Sequence, residues 1–321
     1  MSTDTGVNGV QDVDGTRGPR PTVSAVIATH DRPQLLREAI EGVRVQTYDG
    51  VLECVVVFDR NEPDETLVSD DPRRPVVVLR NARTPGLAGA RNTGALAARG
   101  ELLAFCDDDD VWLPDKTSAQ VDILDAEPDR QVVVGGMVID YEGDRIERVW
   151  PSDEVTVADL CRSRVQDAHP STVLVRTTAF TGDIGLVDEA IPGSYGEDHD
   201  WLIRAAKVHP LAYVRRPLAV VAWHRASHFS GRWPTMIEAL DYLIDKHPEL
   251  RQDSRGLANL RGRQAFARAA MGDRRAAMRT AFESLRLNPL DRRAAVALVV
   301  STGLLSVTRA QRMANAVGRG I

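Results

Sequence analysis

The feature that most constrains the fold is an alternation of short apolar runs with helical patterns that begins at Thr22. The run TVSAVIAT is apolar and rich in β-branched residues, and RPQLLREAIEGVRVQ follows it with apolar residues at helical spacing. The alternation continues through LECVVVFD, VVVLR, the small-residue helix LAGARNTGALAARG and the run ELLAFCD. Strands that are apolar throughout and alternate with helices are typical of a mostly parallel sheet covered by helices on both faces. The sequence therefore predicts an α/β fold that binds its ligand at the carboxyl ends of the strands.

The second half of the chain changes character twice. After Trp112, a helix in LPDKTSAQVDILDAEP precedes the strand patterns QVVVGGMVID, STVLVR and LAYVRRPLAVVAWH, with a helix starting near GEDHDWLIRAAKV before the last of them. From about Trp233 the strand signals stop and the pattern is helical. We expect a loose tail over residues 1–20, an α/β domain over residues 21–232 and a helical region over residues 233–321.

The helical region contains one recognisable supersecondary pattern. The segment AFARAAMGDRRAAMRTAFESLRLNP fits the second half of a tetratricopeptide hairpin, with a glycine turn, small residues where helices touch and a closing Asn-Pro. No second copy is clear, so a helical cap on the main domain is favoured over a repeat array. The apolar stretch AAVALVVSTGLL is too short for a bilayer crossing, which needs about 20 residues.

Charge is distributed unevenly along the chain. The total is −6, but the segment from Arg251 to the end has 14 arginines, no lysine and 4 acids, a net of +10 that leaves −16 for the first 250 residues. A protein that wraps nucleic acid needs a basic face on its main domain, so nucleic acid is not an expected partner. The basic C-terminal region remains a candidate for peripheral contact with a membrane or a protein.

Cysteine usage and the N-terminal sequence bear on location. The three cysteines are widely spaced, with no CxxC pair and no Cys/His cluster, so the sequence indicates neither a disulfide framework nor a zinc site. The first 21 residues have no apolar core and do not resemble a signal peptide. We expect a cytoplasmic protein, with membrane association as an open addition.

The most informative chemical feature is the run CDDDDVW at the end of a predicted buried strand. Adjacent carboxylates disfavour joint ionisation unless a cation or strong donors lie among them. In extended chain, Asp107 and Asp109 would face one way and Asp108 and Asp110 the other. Oxygen ligands of this kind suit Mg²⁺ or Mn²⁺, which in turn suit a diphosphate substrate. The alternative is that Asp110 caps a helix that starts near Leu113.

Four segments together resemble a known family. The order of TVSAVIATHDRP, LECVVVFDRNEPDET, GLAGARNTGALAARGELLAFCDDDDVWLPDK and GEDHDWLIR is similar to that of the family 2 nucleotide-sugar glycosyltransferases, and the resemblance covers residues 21 to about 230. It implies a GT-A fold, Mn²⁺ or Mg²⁺ as cofactor and a nucleoside diphosphate sugar, with UDP favoured, as donor. It also implies an inverting transfer to a hydroxyl acceptor.

The resemblance assigns roles around the donor. It places Thr29 beside the nucleotide base, and it makes Asp59 the carboxylate that reads the base by accepting from its imide N–H. The family often has two acids at the second position, where this chain has Phe58 and Asp59. Arg91, in GARN, matches an arginine that lies near the nucleotide.

The same resemblance assigns the metal ligands. Asp107, Asp108 and Asp109 fall on the family's DxD-type element, and it makes Asp109 the principal metal ligand, with Asp107 as a further metal or nucleotide contact and Asp108 facing ribose and loop. In WHRASHFSG, His224 or His228 would complete the metal shell. Arg225 would stabilise the departing diphosphate.

The catalytic base is expected in GEDHDW. In an inverting transfer a carboxylate takes the proton of the acceptor hydroxyl as the new bond forms. The resemblance assigns this role to Asp198, with Glu197 orienting it or the acceptor, in preference to His199 or Asp200. The alternative is that these acids only favour the dipole at a helix N-terminus.

Two other functions compete with the glycosyltransferase activity that the resemblance implies. A sugar nucleotidyltransferase would be expected to have a Gly- and basic-rich loop after the first strand, and ATHDRPQ is not such a loop. A non-catalytic nucleotide-sugar-binding protein would have no need of the acidic run and the Glu-Asp pair. The sequence leaves the acceptor open among a polysaccharide, a lipid-linked saccharide, a secondary metabolite and a protein, with polysaccharide biosynthesis as the expected setting.

Overall fold

The computed structural model describes residues 19–141, 143–163, 168–223 and 231–315. Within these ranges ten strands form one sheet. The strands are β1 (Val23–Thr29), β2 (Leu52–Phe58), β3 (Val76–Arg80), β4 (Leu102–Asp107), β5 (Val111–Trp112), β6 (Val132–Tyr141), β7 (Asp144–Arg148), β8 (Glu154–Val155), β9 (Leu174–Arg176) and β10 (Leu211–Ala222).

Helices connect these strands and make up the C-terminal part of the chain. They are α1 (Pro33–Arg44), α2 (Leu87–Ala97), α3 (Lys116–Ala126), α4 (Val157–Arg162), α5 (Thr177–Thr181), α6 (Glu197–Val208), α7 (Trp233–Lys246), α8 (Glu249–Gln252), α9 (Ser254–Ala270), α10 (Arg274–Leu287), α11 (Arg292–Thr302) and α12 (Val307–Asn315). Each helix and strand predicted from the sequence patterns is present within a few residues of its expected position.

The sheet has a parallel half and a mixed half. Its order is β3-β2-β1-β4-β9-β6-β10-β5, with β7 on β6 and β8 on β10. Strands β1 to β4 pair in parallel, as do β6 and β10, whereas the short β9 lies antiparallel between β4 and β6. The prediction of a mostly parallel α/β sheet with helices is confirmed, and the antiparallel pairs are additions confined to the second half.

Both faces of the sheet are buried, as continuous apolar strands require. Residues of β1 alternate between two cores: Val26 packs with apolar residues of α2, α6 and α7, and Ile27 packs with those of α1 and α3. Helix α2 approaches the sheet closely at Gly94, where an added Cβ would lie 2.4 Å from a Val26 methyl carbon. The small-residue composition of α2 therefore has a packing reason.

The C-terminal helices join the α/β body through α7 and α9. Helix α7 contributes Met236, Leu240 and Leu243 to the core beneath the sheet. Helices α9, α10 and α11 pack on one another largely through buried alanines, and Phe266 meets Trp233 edge-on. The chain turns between α9 and α10 at Gly272, as the predicted hairpin requires. Among the described residues, no helix combines the length and apolarity of a membrane span.

Candidate active site

The carboxyl ends of three neighbouring strands bring the predicted polar residues to one edge of the sheet. The parallel register sets Thr29 of β1 opposite Phe58 of β2, and Ala28 opposite Asp107 of β4. Asp59 follows directly, and its amide donates to the carbonyl of Thr29 at 2.9 Å. The edge predicted from the apolar runs is therefore the edge at which the candidate site lies.

The four aspartates form a turn at this edge, which we call the acidic turn (Asp107–Asp110). Strand β4 ends at Asp107, and the amide of Asp110 donates to the Asp107 carbonyl at 3.1 Å. Asp107 and Asp110 consequently lie together, and Asp108 and Asp109 face a different partner. The alternation expected for extended chain is wrong, because the strand ends where the aspartates begin.

Arg32 pairs with Asp108 and Asp109, which we call the outer pair of the acidic turn. One guanidinium nitrogen lies 3.0 Å from Asp108 Oδ1 and 2.7 Å from Asp109 Oδ2. Thr29 donates to the other oxygen of Asp108 at 2.8 Å. Burial raises the pKa of Asp108, and these two donors offset only part of the rise. Arg32 was not among the residues predicted from the sequence, although its position just after β1 was a signal that it would reach this edge.

A histidine lies beside Asp107 and Asp110, which we call the inner pair of the acidic turn. His169 Nδ1 lies 3.3 Å from Asp110 Oδ2, and its Nε2 lies 3.9 Å from Asp107 Oδ2. Ligand atoms of Asp107, Asp110 and His169 fall within 4.8 Å of one another. His169 was also not predicted; its signal was a histidine two residues before the STVLVR pattern, 59 to 62 residues from the aspartates in sequence.

Asp110 is the most enclosed carboxylate of the turn. It accepts hydrogen bonds from Ser171 Oγ at 2.5 Å and from the amide of Ala222 at 3.1 Å. Burial, with repulsion from Asp107 and Asp109, raises its pKa well above the usual value. Helix α3 starts at Lys116 with Asp115 at its N-cap, so the alternative that Asp110 caps this helix is wrong.

Arg91 links the acidic turn to the predicted catalytic helix. Its guanidinium, which is 4% exposed, pairs with Asp107 on one side and Glu197 on the other. Burial alone would lower the pKa of Arg91, but the two carboxylates outweigh it and raise that pKa. Burial acts to raise the pKa of Asp107, but Arg91 and His169 outweigh burial, so the pKa of Asp107 is lowered. The described contacts of Arg91 are carboxylates, and its contact with a nucleotide stays a prediction.

Helix α6 presents the predicted base. It begins after Gly196, which adopts the left-handed φ of +83° that favours glycine. Glu197 is buried against Arg91, whereas Asp198 is half-buried and lines a small cavity whose other walls include Phe105, Pro170 and Trp201. His199 and Asp200 are buried at 4% and 0% exposure. The preference for Asp198 over these two as the base stays a prediction.

The remaining predicted contacts lie around this centre or outside the described residues. Asp59 Oδ1 accepts from the side-chain amide of Asn81 at 2.8 Å and from the amide of Gly86 at 3.1 Å. These bonds hold the carboxylate at the strand edge, and its contact with a base stays a prediction. His224, Arg225 and His228 lie outside the described residues, and their roles at the metal and diphosphate also remain predictions.

Comparison with known proteins assigns the family. The sequence model described as glycosyl transferase family 2 matches residues 24–182. The uncharacterized glycosyltransferase YwdF of Bacillus subtilis is 30% identical over 232 residues, which cover 70% of this chain and 84% of YwdF. The chain belongs to glycosyl transferase family 2, which confirms the family that the motifs predicted and disfavours the nucleotidyltransferase alternative.

Other relatives extend the likeness over shorter stretches. The Escherichia coli protein WfaP, named as a UDP-Glc:alpha-D-GlcNAc-diphosphoundecaprenol beta-1,3-glucosyltransferase, is 28% identical over 107 residues, covering 33% of this chain and 42% of WfaP. The first curated relatives are uncharacterized glycosyltransferases of Rickettsia felis and Rickettsia prowazekii, of which this chain spans 33% and 65%. The match thus spans only part of the length of these relatives.

Solved structures show the same fold. Residues 1–349 of Staphylococcus aureus TarS superpose with a TM-score of 0.58 at 14% identity, covering 93% of this chain and 92% of that one. The complex of the same protein with UDP-GlcNAc gives a TM-score of 0.56 at 16% identity, with the same coverage. This likeness confirms the predicted GT-A fold with C-terminal helices.

Proposed function

We propose that this chain is an inverting glycosyltransferase that moves a sugar from a nucleoside diphosphate sugar, with UDP favoured, to a hydroxyl acceptor. The observation that carries the proposal is the buried bridge through Arg91. It joins Asp107 of the acidic turn to Glu197, the neighbour of Asp198. One guanidinium therefore sets the spacing between the element proposed for the donor and the residue proposed as base. The names of WfaP and of the TarS complex support a UDP-sugar as donor.

The proposed reaction uses Asp198 as general base. The acceptor oxygen bonds to the anomeric carbon on the face opposite the diphosphate, the bond from that carbon to the diphosphate oxygen breaks, and the diphosphate keeps the electron pair. The acceptor proton passes to the Asp198 carboxylate. Asp198 is half-buried and lines a small cavity, where the acceptor hydroxyl is proposed to meet its carboxylate, and Glu197 is held by Arg91 in position to orient it.

A divalent ion, Mn²⁺ or Mg²⁺, fits the side chains of the acidic turn. Carboxylate oxygens suit both ions, and the ligand atoms of Asp107, Asp110 and His169 are close enough to converge on one centre. Asp109, the ligand that the resemblance implies, is paired with Arg32 and must exchange that partner to join them. When bound, the ion neutralises charge on the leaving diphosphate. His224 or His228 remains a proposed further ligand.

Nucleotide contacts follow from the same edge. Thr29 and Asp59 are proposed to face the base, with Asp108 toward the ribose and Arg225 toward the diphosphate. Arg91 is proposed to act on the nucleotide indirectly, through Asp107, because its guanidinium is buried between two carboxylates.

The wider assignments are proposals as well. Residues 21–232 are proposed as the catalytic domain, with residues 233–321 as a helical region that meets an anionic membrane or a protein partner through its arginines. A cytoplasmic location and an acceptor in polysaccharide or lipid-linked saccharide synthesis fit the proposed donor. Vesicle co-sedimentation with and without residues 290–321 tests the membrane contact, which deletion should abolish.

The decisive experiment is a transfer assay across UDP- and GDP-sugars with Mn²⁺ or Mg²⁺. We expect Asp198→Asn to lower kcat by about 1,000-fold, because the acceptor proton loses its carboxylate, while UDP affinity changes less than about twofold. Asp183→Asn, the same change at an exposed position, is the matched control and should retain wild-type kcat. Full activity in Asp198→Asn would overturn the assigned base, and binding of UDP without transfer from any donor would overturn the proposed activity.

A further inference from the structure

Lysine is rare in this chain, and two of its three lysines meet at one place. The sequence has 40 lysines and arginines together, of which only Lys116, Lys207 and Lys246 are lysines. Lys207 lies near the end of α6 and Lys246 ends α7. Both lie close to His247, with Lys207 Nζ 3.4 Å from its Nδ1. This junction between α6 and α7 is not part of the site described above.

Lys246 bridges two carboxylates there. Its ammonium lies 2.7 Å from Asp200 Oδ1 and 2.5 Å from Asp188 Oδ2. His247 Nε2 lies 2.8 Å from the same Asp200 oxygen. We call these four residues, Asp188, Asp200, Lys246 and His247, the helix anchor. Arg204, one turn further along α6, pairs with the second oxygen of Asp200 at 3.0 Å.

The two carboxylates belong to the elements that present the proposed base. Asp200 is in the first turn of α6, two residues after Asp198, and it is fully buried. Asp188 lies in the segment that leads to α6, beside Glu189, which pairs with Arg83. Lys246 comes from the far end of a helix that begins at Trp233. One ammonium group therefore ties the approach to α6, its first turn and the helical region together.

The choice of lysine has a geometric reason. An ammonium is a compact charge with three donors that can point to separate acceptors, whereas the planar guanidinium favours two parallel bonds to one carboxylate. Lys246 contacts two carboxylates on different chain segments, and Tyr242 supplies a further donor to Asp188 at 2.8 Å. The ammonium of Lys246 can therefore serve both carboxylates at once from the end of α7.

We propose that Lys246 is a positioning residue for catalysis, which holds the first turn of α6 so that Glu197 meets Arg91 and Asp198 faces the acceptor. The inference rests on the proposed function, and it adds that the helical region is a working part of the active site. Removing the ammonium leaves Asp200 with His247 and Arg204, so the fold persists while the first turn of α6 loses its link to Asp188.

The test compares Lys246→Met with Lys246→Arg and with Asp245→Asn. Asp245 neighbours Lys246 and is 77% exposed at its side chain, so its variant controls for a surface change on the same helix. In Lys246→Met we expect amide hydrogen exchange in residues 197–208 to be about tenfold faster. We expect kcat to fall by on the order of 10- to 100-fold, with UDP affinity within about twofold of wild type. Lys246→Arg should recover part of kcat.

The outcomes separate the inference from the proposed function. If wild-type protein binds UDP but transfers no sugar, the proposed function fails, and the exchange measurement still reports whether α6 is held by Lys246. If wild-type protein is active and Lys246→Met matches Asp245→Asn in kcat, or loses kcat only in proportion to the folded fraction seen by circular dichroism, the positioning role is overturned. Unchanged exchange in residues 197–208 overturns it as well.

Discussion

Two clusters of buried or half-buried aspartates lie near the proposed base, and their charges are arranged in opposite ways. In the acidic turn, burial and neighbouring carboxylates raise the pKa of Asp108 and Asp110. In the helix anchor, burial also acts to raise the pKa of Asp188 and Asp200, but hydrogen bonds and cations outweigh it and lower both; the leading contribution comes from Lys246 at Asp188 and from the His247 hydrogen bond at Asp200. Carboxylate neighbours thus dominate the surroundings of Asp110 in the acidic turn, whereas cations and hydrogen-bond donors dominate those of the aspartates in the helix anchor.

The acidic turn is therefore suited to binding a cation, whereas the helix anchor is suited to holding helix α6 in place. Carboxylates that raise one another's pKa gain from a cation that arrives with a ligand. Carboxylates already matched by ammonium, imidazole and guanidinium groups gain nothing from a further cation, and removing one partner leaves buried charge without compensation. We therefore expect substitutions in the acidic turn to act mainly on activity, and substitutions in the helix anchor to act on stability as well as on the placement of the proposed base.

Asp109→Asn should give the largest effect of this comparison. The variant keeps the size of the side chain but loses the charge that is proposed to act on the metal and diphosphate. We expect kcat/KM to fall by about 100-fold or more in the transfer assay. The Arg32 contact that it weakens is partly exposed, so the free energy of unfolding measured in urea should change by less than about 1 kcal/mol. A large loss of stability with activity retained would reverse the comparison.

Asp200→Asn should lower the stability of the fold, which Asp109→Asn leaves nearly unchanged. It removes the charge that Lys246, His247 and Arg204 share, and a broken buried charge cluster costs about 3 kcal/mol in the free energy of unfolding. Urea denaturation at pH 7 measures this loss. Asp245→Asn breaks only an exposed pair with Arg251 and should stay within about 0.5 kcal/mol of wild type. Equal midpoints for Asp200→Asn and Asp245→Asn would show that the helix anchor does not stabilise the fold.

The pH dependence of stability should show a smaller effect. The pKa of Asp200 is lowered from 3.8 by its cationic partners, so its contribution is fully present above about pH 4. That contribution is lost as pH falls toward the folded pKa, because the unfolded chain then binds the proton first. We expect the free energy of unfolding between pH 5 and pH 3 to fall less steeply in Asp200→Asn than in wild type. Parallel profiles in the two proteins would contradict the assignment.

Much of the site follows from local sequence pattern. Thr29, Asp59 and Asp107 each close a strand or follow one, and parallel pairing brings such positions to one edge whatever the loops do. Glu197 and Asp198 open a helix, as the pattern after Gly196 indicated. These predictions needed only the period of apolar residues and the ends of the runs.

The contacts that give each aspartate its surroundings did not follow in this way. His169 meets Asp110 from 59 residues further along the chain, and Arg32 reaches Asp109 from 77 residues before it, so local sequence pattern indicates neither pairing. The pairing of Asp107 with Asp110 depends on a turn that an unbroken acidic run does not reveal. The rarity of lysine in this chain was a weak signal for Lys246, but it does not indicate that Asp188 and Asp200 are its partners.

By itself, the sequence determined the α/β class of sheet and the edge at which the polar residues collect, because these depend on hydrophobic periodicity. The order of its motifs along the chain also gave the resemblance to the family, and with it the expected GT-A fold. The tertiary structure alone decided which carboxylates share a cation. Asp200 and His247 are 47 residues apart and meet only because α7 packs beneath the sheet beside α6. Charge pairing acts over a few ångströms in space, so it is settled by how the helices dock rather than by how the residues are spaced.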